Sequence, residues 1–447
     1  VSARGKTEKG KALAVMGGLT ARSIPEVGTT VFRPPYTPVS FGALAGHGRG
    51  KTFRPTRLTP THDWAVEQGA VFTEAGLWLR AHYFRQPGEN DWRQSVSREV
   101  RTVRSAVGIC DVTTLGKIDV QGRDAAVFLD RVYANMISTL AVGKVRYAVM
   151  LREDGFVLDD GTVCRLGAEH FLTTTTTANA ARVLAHLDYC RQVLWPELDV
   201  AIVPVTEGWA QLSIAGPRAR DVLHNAVDAG CDVSNEALPY MGYTQVAVGG
   251  IPGRLFRVSF SGELAYEIAV STEYGDALAR ALMDAGSEFS ICAYGTEALG
   301  VMRIEKGHAA GPELDGRTTL NDLGLGKLAS RKKDYVGRIM GERAELNDSS
   351  RAALVGLIPA NRSDTLAAGA HLVVPGKAAR ADNDEGHVTS AAHSPTLGHD
   401  VALALLQGGP ARVGTQIRAV DHLRGTDVLC QVVAPVFVDP EGEKLRG

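Results

Sequence analysis

Hydrophobic and polar positions change their spacing several times along the chain, and each spacing predicts one kind of element. The stretch WRQSVSREVRTVRSAVG, which begins at Trp92, repeats its apolar residues at helical spacing, whereas GKIDVQG alternates as a half-buried strand does. The segment KVRYAVMLREDGFVLDDGTVCRL predicts a β-hairpin that turns at Glu153-Asp154-Gly155. Strand and helix patterns alternate up to about residue 350, which predicts an α+β fold of split βαβ modules.

The two ends of the chain have a different texture. Residues 1–92 are rich in Pro, Gly and Arg and lack sustained periodicity, so we expect an extended segment that packs on partner subunits. After Arg351 short apolar runs are separated by turn residues, which predicts a small C-terminal β-barrel or sandwich. The expected parts are therefore the segment 1–92, a core at 93–350 and a barrel domain at 351–447.

Composition excludes several classes of protein. The 48 basic and 50 acidic residues give a net charge of -2, which argues against binding to nucleic acid or to an anionic membrane. No apolar run approaches the roughly 20 residues that a membrane helix needs. The six cysteines include no CxxC pair, as is usual in a reducing compartment. We therefore expect a cytoplasmic protein.

Common catalytic motifs are weak in this sequence. GHGRGKT at 46–52 has Ala45 where a phosphate loop requires Gly, and no strand precedes it. The twelve histidines show neither HxxxH nor HExxH spacing, so we expect no metal site. Ser261 lies in FSGE, and not in the GxSxG turn of serine hydrolases.

Acidic residues at strand positions are the remaining candidates for chemistry. Neighbouring strand residues point to opposite faces, so we expect one of Asp159 and Asp160 to face inward. In FSGELAYEI, Glu263 and Glu267 are four residues apart and share a face if the segment is extended. The alternative is that these acids lie on solvated strand faces or pair with arginines.

Several longer stretches resemble the C-terminal part of the alpha subunits of heterotetrameric sarcosine oxidases. They are IPEVGTTVFRPPYTPVSFGALAG, TPTHDWAVEQGAVF, VRSAVGICDVTTLGKIDVQG, KVRYAVMLREDGFVLDDG, FSGELAYEI, YGTEALGVMRIEKGHAAG and SPTLGH. From about residue 93 the chain also resembles the wider aminomethyltransferase family, which includes the glycine-cleavage T-protein. That family implies a cloverleaf of two α+β modules and a C-terminal barrel around a tetrahydrofolate site.

The resemblance also implies roles for particular residues. Asp160 takes the position of the family's functional acid, which stabilises positive charge near the folate. Asp160 is therefore the predicted catalytic residue. Glu267 takes the position of the pterin-binding Glu, and Tyr147 that of a folate-contacting Tyr. Asp159, beside the functional acid, is a further predicted cofactor-binding residue.

Two more residues complete the predicted cofactor-binding set. Arg303 matches an Arg of the T-protein helix, and we add Glu263 from the acidic strand segment. Leu299 stands where T-proteins carry the Arg that holds the folate glutamate carboxylate. Recognition of the folate tail must therefore differ, with Lys306 or the barrel as candidates.

The resemblance further implies a complete reaction and its partners. It implies oxidative demethylation of sarcosine to glycine, with the one-carbon unit captured as 5,10-methylenetetrahydrofolate. A flavin, FAD or FMN, lies with the beta subunit, and gamma and delta subunits complete the assembly. NAD belongs to an upstream dinucleotide-binding half that this sequence does not include. The alternatives are a stand-alone aminomethyltransferase and a non-catalytic folate-binding or scaffold subunit.

Overall fold

The computed structural model describes residues 8–23, 27 and 57–447. The chain divides into two compact units, 1–56 and 57–447. In the first unit helix α1 (Glu8–Thr20) ends where the amide of Arg22 donates a hydrogen bond to the carbonyl of Gly17, at 2.9 Å. The basic stretch at 46–52 and most of the predicted extended segment lie outside the described residues.

Regular structure begins earlier than the sequence pattern predicts. Residues 57–84 form β1 (Arg57–Leu58), α2 (His62–Glu67), β2 (Ala70–Ala75) and β3 (Trp78–Phe84), with the strands in the order β1-β3-β2. Trp64 and Phe84 are buried in a core that these elements share with later strands. These elements are too short to show a periodic pattern of hydrophobic residues. They are stabilised by packing against residues that are distant in sequence. Contact between residues 1–92 and partner subunits stays a prediction.

The next part of the chain forms a sheet covered by helices on one face. Its elements are α3 (Trp92–Ser105), β4 (Gly108–Asp111), β5 (Gly116–Gln121), α4 (Ala125–Val132), β6 (Val145–Leu151), β7 (Val157–Gly167), β8 (His170–Thr175), α5 (Ala180–Tyr189) and β9 (Ala201–Pro204). The strands pair in the order β6-β7-β8-β5-β9, which we call the first sheet. The hairpin predicted at Glu153-Asp154-Gly155 joins β6 to β7.

A second sheet follows and incorporates β4. Its further elements are β10 (Trp209–Ala215), α6 (Ala219–Ala226), β11 (Tyr243–Val248), β12 (Ile251–Phe256), β13 (Ala265–Ser271), α7 (Gly275–Ala285), β14 (Cys292–Ala293) and α8 (Thr296–Lys306). The strand order is β11-β12-β13-β10-β4-β14, and only the β4–β14 pair is parallel. The predicted alternation of strands and helices is confirmed for both sheets.

The C-terminal part is a closed barrel, as predicted. After the short helix α9 (Arg338–Gly341) come β15 (Ala352–Pro359), β16 (His371–Val373), β17 (Asp384–Ser394), β18 (His399–Gln407), β19 (Gln416–Asp421), β20 (Thr426–Val433) and α10 (Glu443–Arg446). The strands close in the order β15-β18-β17-β16-β19-β20. Val355, Leu372, Ala404 and Cys430 lie among the residues that fill its interior.

Each sheet has an outer face covered by its own helices and an inner face on the other side. On the outer face of the first sheet, Ile118 and Met150 pack with α4 and α5. On the outer face of the second sheet, Leu212 and Ile268 pack with α6 and α7. The inner faces meet at an apolar cluster that contains Val145, Cys164, Leu172 and Phe256. This meeting of inner faces positions the candidate site.

A buried ion-pair network fixes α3, α8 and the barrel to one another. The guanidinium of Arg104 donates to Glu263 at 2.8 Å and to Glu305 at 2.6 Å. Glu305 also accepts a hydrogen bond from the hydroxyl of Ser394 on β17, at 2.6 Å. Lys444 reaches Glu263 from the C-terminal helix at 3.0 Å. Buried charges of this kind are tolerated because each one has a partner.

Candidate functional site

Asp159 and Asp160 lie on opposite faces of β7, as the alternation of a strand requires. Asp159 is paired in register with Met150, whose side chain packs on the outer face. Asp160 is paired with Val149, whose side chain packs on the inner side. Asp159 is buried and Asp160 is half-buried. The adjacent acids therefore lie in different environments.

Asp159 is held from the outer face by the segment that leads into α5. Its carboxylate accepts hydrogen bonds from the Thr176 amide at 3.1 Å, the Thr176 hydroxyl at 2.7 Å and the Asn179 side-chain amide at 3.0 Å. Burial raises the pKa of Asp159, and these donors oppose that rise. Asn179 occupies the N-cap position of α5, but its side chain makes no cap hydrogen bond and binds Asp159 instead.

Asp160 faces the interior with a tyrosine beside it. The hydroxyl of Tyr147 on β6 donates a hydrogen bond to Oδ2 of Asp160 at 2.8 Å. Tyr147 is paired with Thr162, two residues from Asp160 on the same face, so the contact crosses the hairpin diagonally. Burial raises the pKa of Asp160 to about 7, the Tyr147 hydrogen bond lowers it and the charge of Asp159 raises it. A carboxyl with this pKa changes charge near neutral pH.

A row of polar side chains crosses the inner face of the first sheet from β6 to β5. Tyr147 is paired with Thr162, and the hydroxyls of Thr162 and Thr174 lie 2.9 Å apart. Thr174 is paired in turn with Lys117 on β5. The row therefore leads from the Asp160 end of the sheet to a buried lysine.

Glu267 lies on the inner face of the second sheet, on β13. It is paired with Ser213 on one side and with Phe256 on the other. The side-chain amide of Gln211 donates a hydrogen bond to its Oε2. Burial raises the pKa of Glu267, while the Gln211 hydrogen bond and the charges of Lys117 and Arg80 lower it. The carboxylate is thus desolvated but has positive charges near it.

Lys117 connects the two inner faces electrostatically. It is 1% exposed, and its ammonium donates to the carbonyls of Thr113 at 2.9 Å and Leu115 at 3.1 Å. Burial lowers its pKa to about 8, whereas the charges of Glu267 and Asp111 raise it. Sequence analysis missed Lys117 and Gln211 as parts of the site. The available signal was a lysine inside the strand pattern GKIDVQG, since a buried lysine needs acceptors or an opposite charge.

The other predicted cofactor-binding residues lie in internal ion pairs. Glu263 precedes β13 in a bend, where its carboxylate accepts a hydrogen bond from Arg104, so the extended geometry that would place it on one face with Glu267 does not form. Arg303 on α8 donates to Glu313 at 2.8 Å and to the Ser390 hydroxyl at 2.6 Å. Their part in cofactor binding stays a prediction. Lys306, a candidate for the folate tail, pairs with Asp439 at 3.0 Å.

The arrangement suits an organic ligand that presents N–H donors. Each inner face carries a carboxylate, one with a tyrosine and the other with a glutamine beside it. Carboxylates that are partly removed from water bind N–H groups and stabilise positive charge more strongly than exposed ones. The described ranges contain no group of three or more His, Cys, Asp or Glu residues that could hold a metal ion. No helix in the described part of the chain has both the length and the apolar character needed to cross a membrane.

Family models match nearly the whole chain. The GCVT N-terminal domain matches residues 61–333, and the glycine cleavage T-protein C-terminal barrel domain matches 353–439. The sarcosine oxidase A3 domain matches residues 2–47. These matches confirm the predicted resemblance and the predicted fold of two modules with a C-terminal barrel.

Individual relatives agree with these models. The chain is 48% identical over 446 residues to the sarcosine oxidase subunit alpha of Rhizobium meliloti (strain 1021). The alignment covers 99% of this chain and 45% of the relative. The corresponding subunit of Corynebacterium sp. (strain P-1) is 43% identical, with 99% of the chain and 46% of the relative covered. The chain thus spans about half the length of these relatives.

Shorter relatives match from end to end. An aminomethyltransferase of Saccharopolyspora erythraea is 33% identical over 384 residues, with 85% of the chain and 98% of the relative covered. Among solved structures, the glycine cleavage system aminomethyltransferase T of Bartonella henselae superimposes with a TM-score of 0.74 at 24% identity. That superposition covers 86% of this chain and 98% of the other, and it supports the fold.

Proposed function

Because the chain belongs to the aminomethyltransferase family of the glycine-cleavage T-protein, we propose that it binds tetrahydrofolate between the inner faces of its sheets. The observation that carries the proposal is that Asp160 and Glu267 lie on the inner faces of different sheets. The proposed reaction transfers the one-carbon unit released from a secondary amine to the bound folate. Bound tetrahydrofolate would supply the amine nitrogens that accept this unit.

The residues present fit such a ligand. A pterin presents ring N–H and amino groups, which a carboxylate can accept in pairs. Oε2 of Glu267 accepts a hydrogen bond from Gln211, whereas Oε1 has no side-chain donor within the described residues. We propose that Glu267 binds the pterin N–H groups through this free oxygen. Lys117 and Arg80 would keep the carboxylate ionised for that purpose.

Asp160 is the proposed catalytic residue. Its only side-chain donor among the residues described is Tyr147, so the second oxygen can face a ligand. An ionised carboxylate there stabilises positive charge that develops beside it and orients a ligand amine. Tyr147 fixes the Asp160 side chain, and Asp159 holds the same strand to the α5 segment. We propose that Glu263 and Arg303 support the site through their ion pairs, since direct contact with a ligand would require those pairs to open.

The remaining parts of the reaction are proposed from the relatives named sarcosine oxidase subunit alpha. We propose sarcosine as the amine, glycine and 5,10-methylenetetrahydrofolate as products, and a flavin on a beta subunit as the oxidant. Gamma and delta subunits, an NAD-binding upstream half and a cytoplasmic location belong to the same proposal. The aminomethyltransferase that is matched over 98% of its length favours a second candidate, transfer without an oxidase.

Calorimetric titration of the full chain with tetrahydrofolate and with folinic acid tests the proposal. We expect saturable binding that Glu267→Gln weakens. A flavin-bearing beta subunit added to the chain should then yield methylenetetrahydrofolate from sarcosine, and Asp160→Asn should abolish most of it. Absence of folate binding, or equal binding by the Glu267→Gln variant, would overturn the folate site. Transfer from an aminomethylated carrier protein, without the beta subunit, would favour the second candidate.

A further inference from the structure

Arg80 on β3 contacts the second sheet at the end of β4. Its Nη2 atom donates a hydrogen bond to the carbonyl of Asp111 at 2.8 Å. Asp111 is the last residue of β4 and follows Cys110, which is paired across the sheet with Ser213. Ser213 is paired in turn with Glu267. The hairpin of β2 and β3 therefore brings an arginine to the strands that lead to Glu267.

The charge of Arg80 acts on groups of both inner faces. Cys110 and Glu267 share the inner face of the second sheet, because both are paired in register with Ser213. Burial has the largest influence on the pKa values of Cys110, Lys117 and Glu267. The positive charge of Arg80 lowers the pKa of all three. These effects agree with a guanidinium that is directed towards the space between the inner faces.

Arg80 has unused hydrogen-bond donors. Its Nε atom is buried without a hydrogen-bond partner, and the Asp111 carbonyl is the only oxygen or nitrogen acceptor of its guanidinium among the residues described. No acidic side chain in that part of the sequence forms an ion pair with it. A buried N–H group without an acceptor is unfavourable, so the guanidinium would gain from an acceptor that a ligand supplies. Arg80 and Glu267 are only half-buried, which leaves both accessible.

A pterin ring presents donors and an acceptor side by side on one edge. The 2-amino group and N3–H are donors, and the carbonyl oxygen O4 lies next to N3. A carboxylate accepts from the two donors, whereas O4 needs a donor beside that carboxylate. We propose that Arg80 donates a hydrogen bond to O4 of the folate while Glu267 binds the N–H groups, and that the site thereby selects 4-oxo over 4-amino pterins. This inference rests on the proposed folate site.

The 4-amino analogue tetrahydroaminopterin tests this selection, because it carries the same tail as tetrahydrofolate and replaces the acceptor O4 with a donor. A hydrogen bond to a charged group contributes about 10- to 150-fold in affinity. We expect the full chain to prefer tetrahydrofolate, and Arg80→Met to reduce that preference at least about 10-fold. The reduction should come from weaker binding of tetrahydrofolate, with the affinity for the analogue unchanged or higher.

The test measures the affinity of both ligands by anaerobic calorimetry on the full chain and on three variants. Arg80→Lys keeps a charged donor and should retain more of the preference than Arg80→Met. The matched control is Arg254→Met, which removes another arginine that has a buried nitrogen without a partner. Arg254 stacks on the ring of Trp209 at 4.0 Å, so this variant should keep the parent preference. Circular dichroism spectra and urea denaturation check that each variant is folded.

A pH series separates direct contact from an indirect effect of Arg80 on Glu267. Loss of a positive charge favours the protonated form of Glu267, and a higher pH restores its carboxylate. Affinities are therefore compared at pH values where they no longer change with pH. If Arg80 binds O4, the preference of Arg80→Met stays reduced there. If Arg80 acts only by keeping Glu267 ionised, the preference returns to the parent value and the inference is wrong.

The remaining outcomes separate this inference from the function on which it rests. If the chain binds tetrahydrofolate and folded Arg80→Met keeps the parent preference, or if the parent has no preference, Arg80 does not read O4 and the folate site stands. If the parent chain binds neither ligand, both proposals fail. An equal loss of preference in Arg254→Met would assign the effect to the general charge of the site and overturn the inference.

Discussion

The hydroxyl of Tyr147 donates a hydrogen bond to Asp160 across the β6–β7 hairpin at 2.8 Å. On the other face of the same strand, Asp159 receives its own donors from Thr176 and Asn179. On β7, Asp159 therefore has a structural role, whereas Asp160 faces the space between the sheets. This division leads to different expectations for substitutions at the two positions.

The first prediction concerns the proposed catalytic carboxylate. Asp160→Asn keeps the size of the side chain and removes its charge, so we expect folate affinity to change little and one-carbon transfer to fall about 10²- to 10³-fold. Single-turnover transfer measured with the reconstituted complex checks this. The matched change Asp159→Asn should instead lower stability, because it replaces an acceptor of three hydrogen bonds. Parent-like transfer by Asp160→Asn would remove Asp160 from the mechanism.

The second prediction uses the pH dependence of transfer. The pKa of Asp160 is raised to about 7 by burial, so its carboxylate is ionised only above that pH and transfer should increase as the pH passes about 7. The Tyr147 hydrogen bond favours the ionised form, and Tyr147→Phe should therefore move the midpoint to higher pH. Tyr243→Phe, on β11, is the control and should leave the midpoint in place. A downward shift in Tyr147→Phe would contradict this account.

The third prediction concerns the charge that Lys117 brings to Glu267. Burial raises the pKa of Glu267, and Lys117 opposes that rise, so Lys117→Met should raise the pKa further. Folate affinity, measured by titration between pH 5 and 8, should then begin to fall at a higher pH than in the parent. Lys333→Met removes a half-buried lysine, one that donates to the carbonyls of Asp130 and Tyr133, and serves as the control. Identical profiles for both variants would argue against the Lys117 effect.

The fourth prediction concerns stability. Glu99 is fully buried and accepts the amides of Phe84 at 2.6 Å and Gly295 at 2.9 Å. A glutamine offers one acceptor oxygen where the carboxylate offers two, so Glu99→Gln should lower the free energy of unfolding by about 1–3 kcal/mol. Urea denaturation at pH 7 measures this. Glu297→Gln, which loses only the partly exposed pair with His82, should cost less than about 1 kcal/mol.

The same residue predicts a pH effect on stability. Burial raises the pKa of Glu99 from 4.5 to about 7, so between these values the folded state keeps a proton that the unfolded state releases. The contribution of Glu99 to the free energy of unfolding should therefore decrease as the pH rises from 4.5 to 7 and level off above 7. Glu99→Gln should remove this slope. An unchanged slope in the variant would assign the effect to other groups.

Elements with strong local patterns could be predicted from the sequence. The hairpin at Glu153-Asp154-Gly155, helix α3 and the strands of the barrel follow from spacing and turn residues within a few positions. Elements that depend on distant packing could not. Strands β1, β2 and β3 are short, and Trp64 and Phe84 are buried in one cluster with residues of the second sheet that are distant in sequence. Local periodicity carries no information about such contacts.

The candidate site shows the same limit at the level of single residues. The opposite orientation of Asp159 and Asp160 follows from the period of a strand alone. The neighbours of Glu267 do not follow from that period. Lys117 is distant in sequence and lowers the pKa of Glu267 only because the inner faces meet. Glu263 illustrates the converse case, in which a bend before β13 breaks the extended geometry that the spacing assumed.

The chain leaves α8 and returns to it after the barrel. The amides of Phe437 and Val438 both donate to the carbonyl of Glu305, at 2.8 and 2.9 Å. The segment that contains the barrel therefore begins and ends at the C-terminus of α8. Because the cost of closing such a loop grows only slowly with its length, extra residues at its far tip would cost little. Leu423, 98% exposed on the β19–β20 hairpin, therefore marks a position where the protein should tolerate a fluorescent or affinity tag.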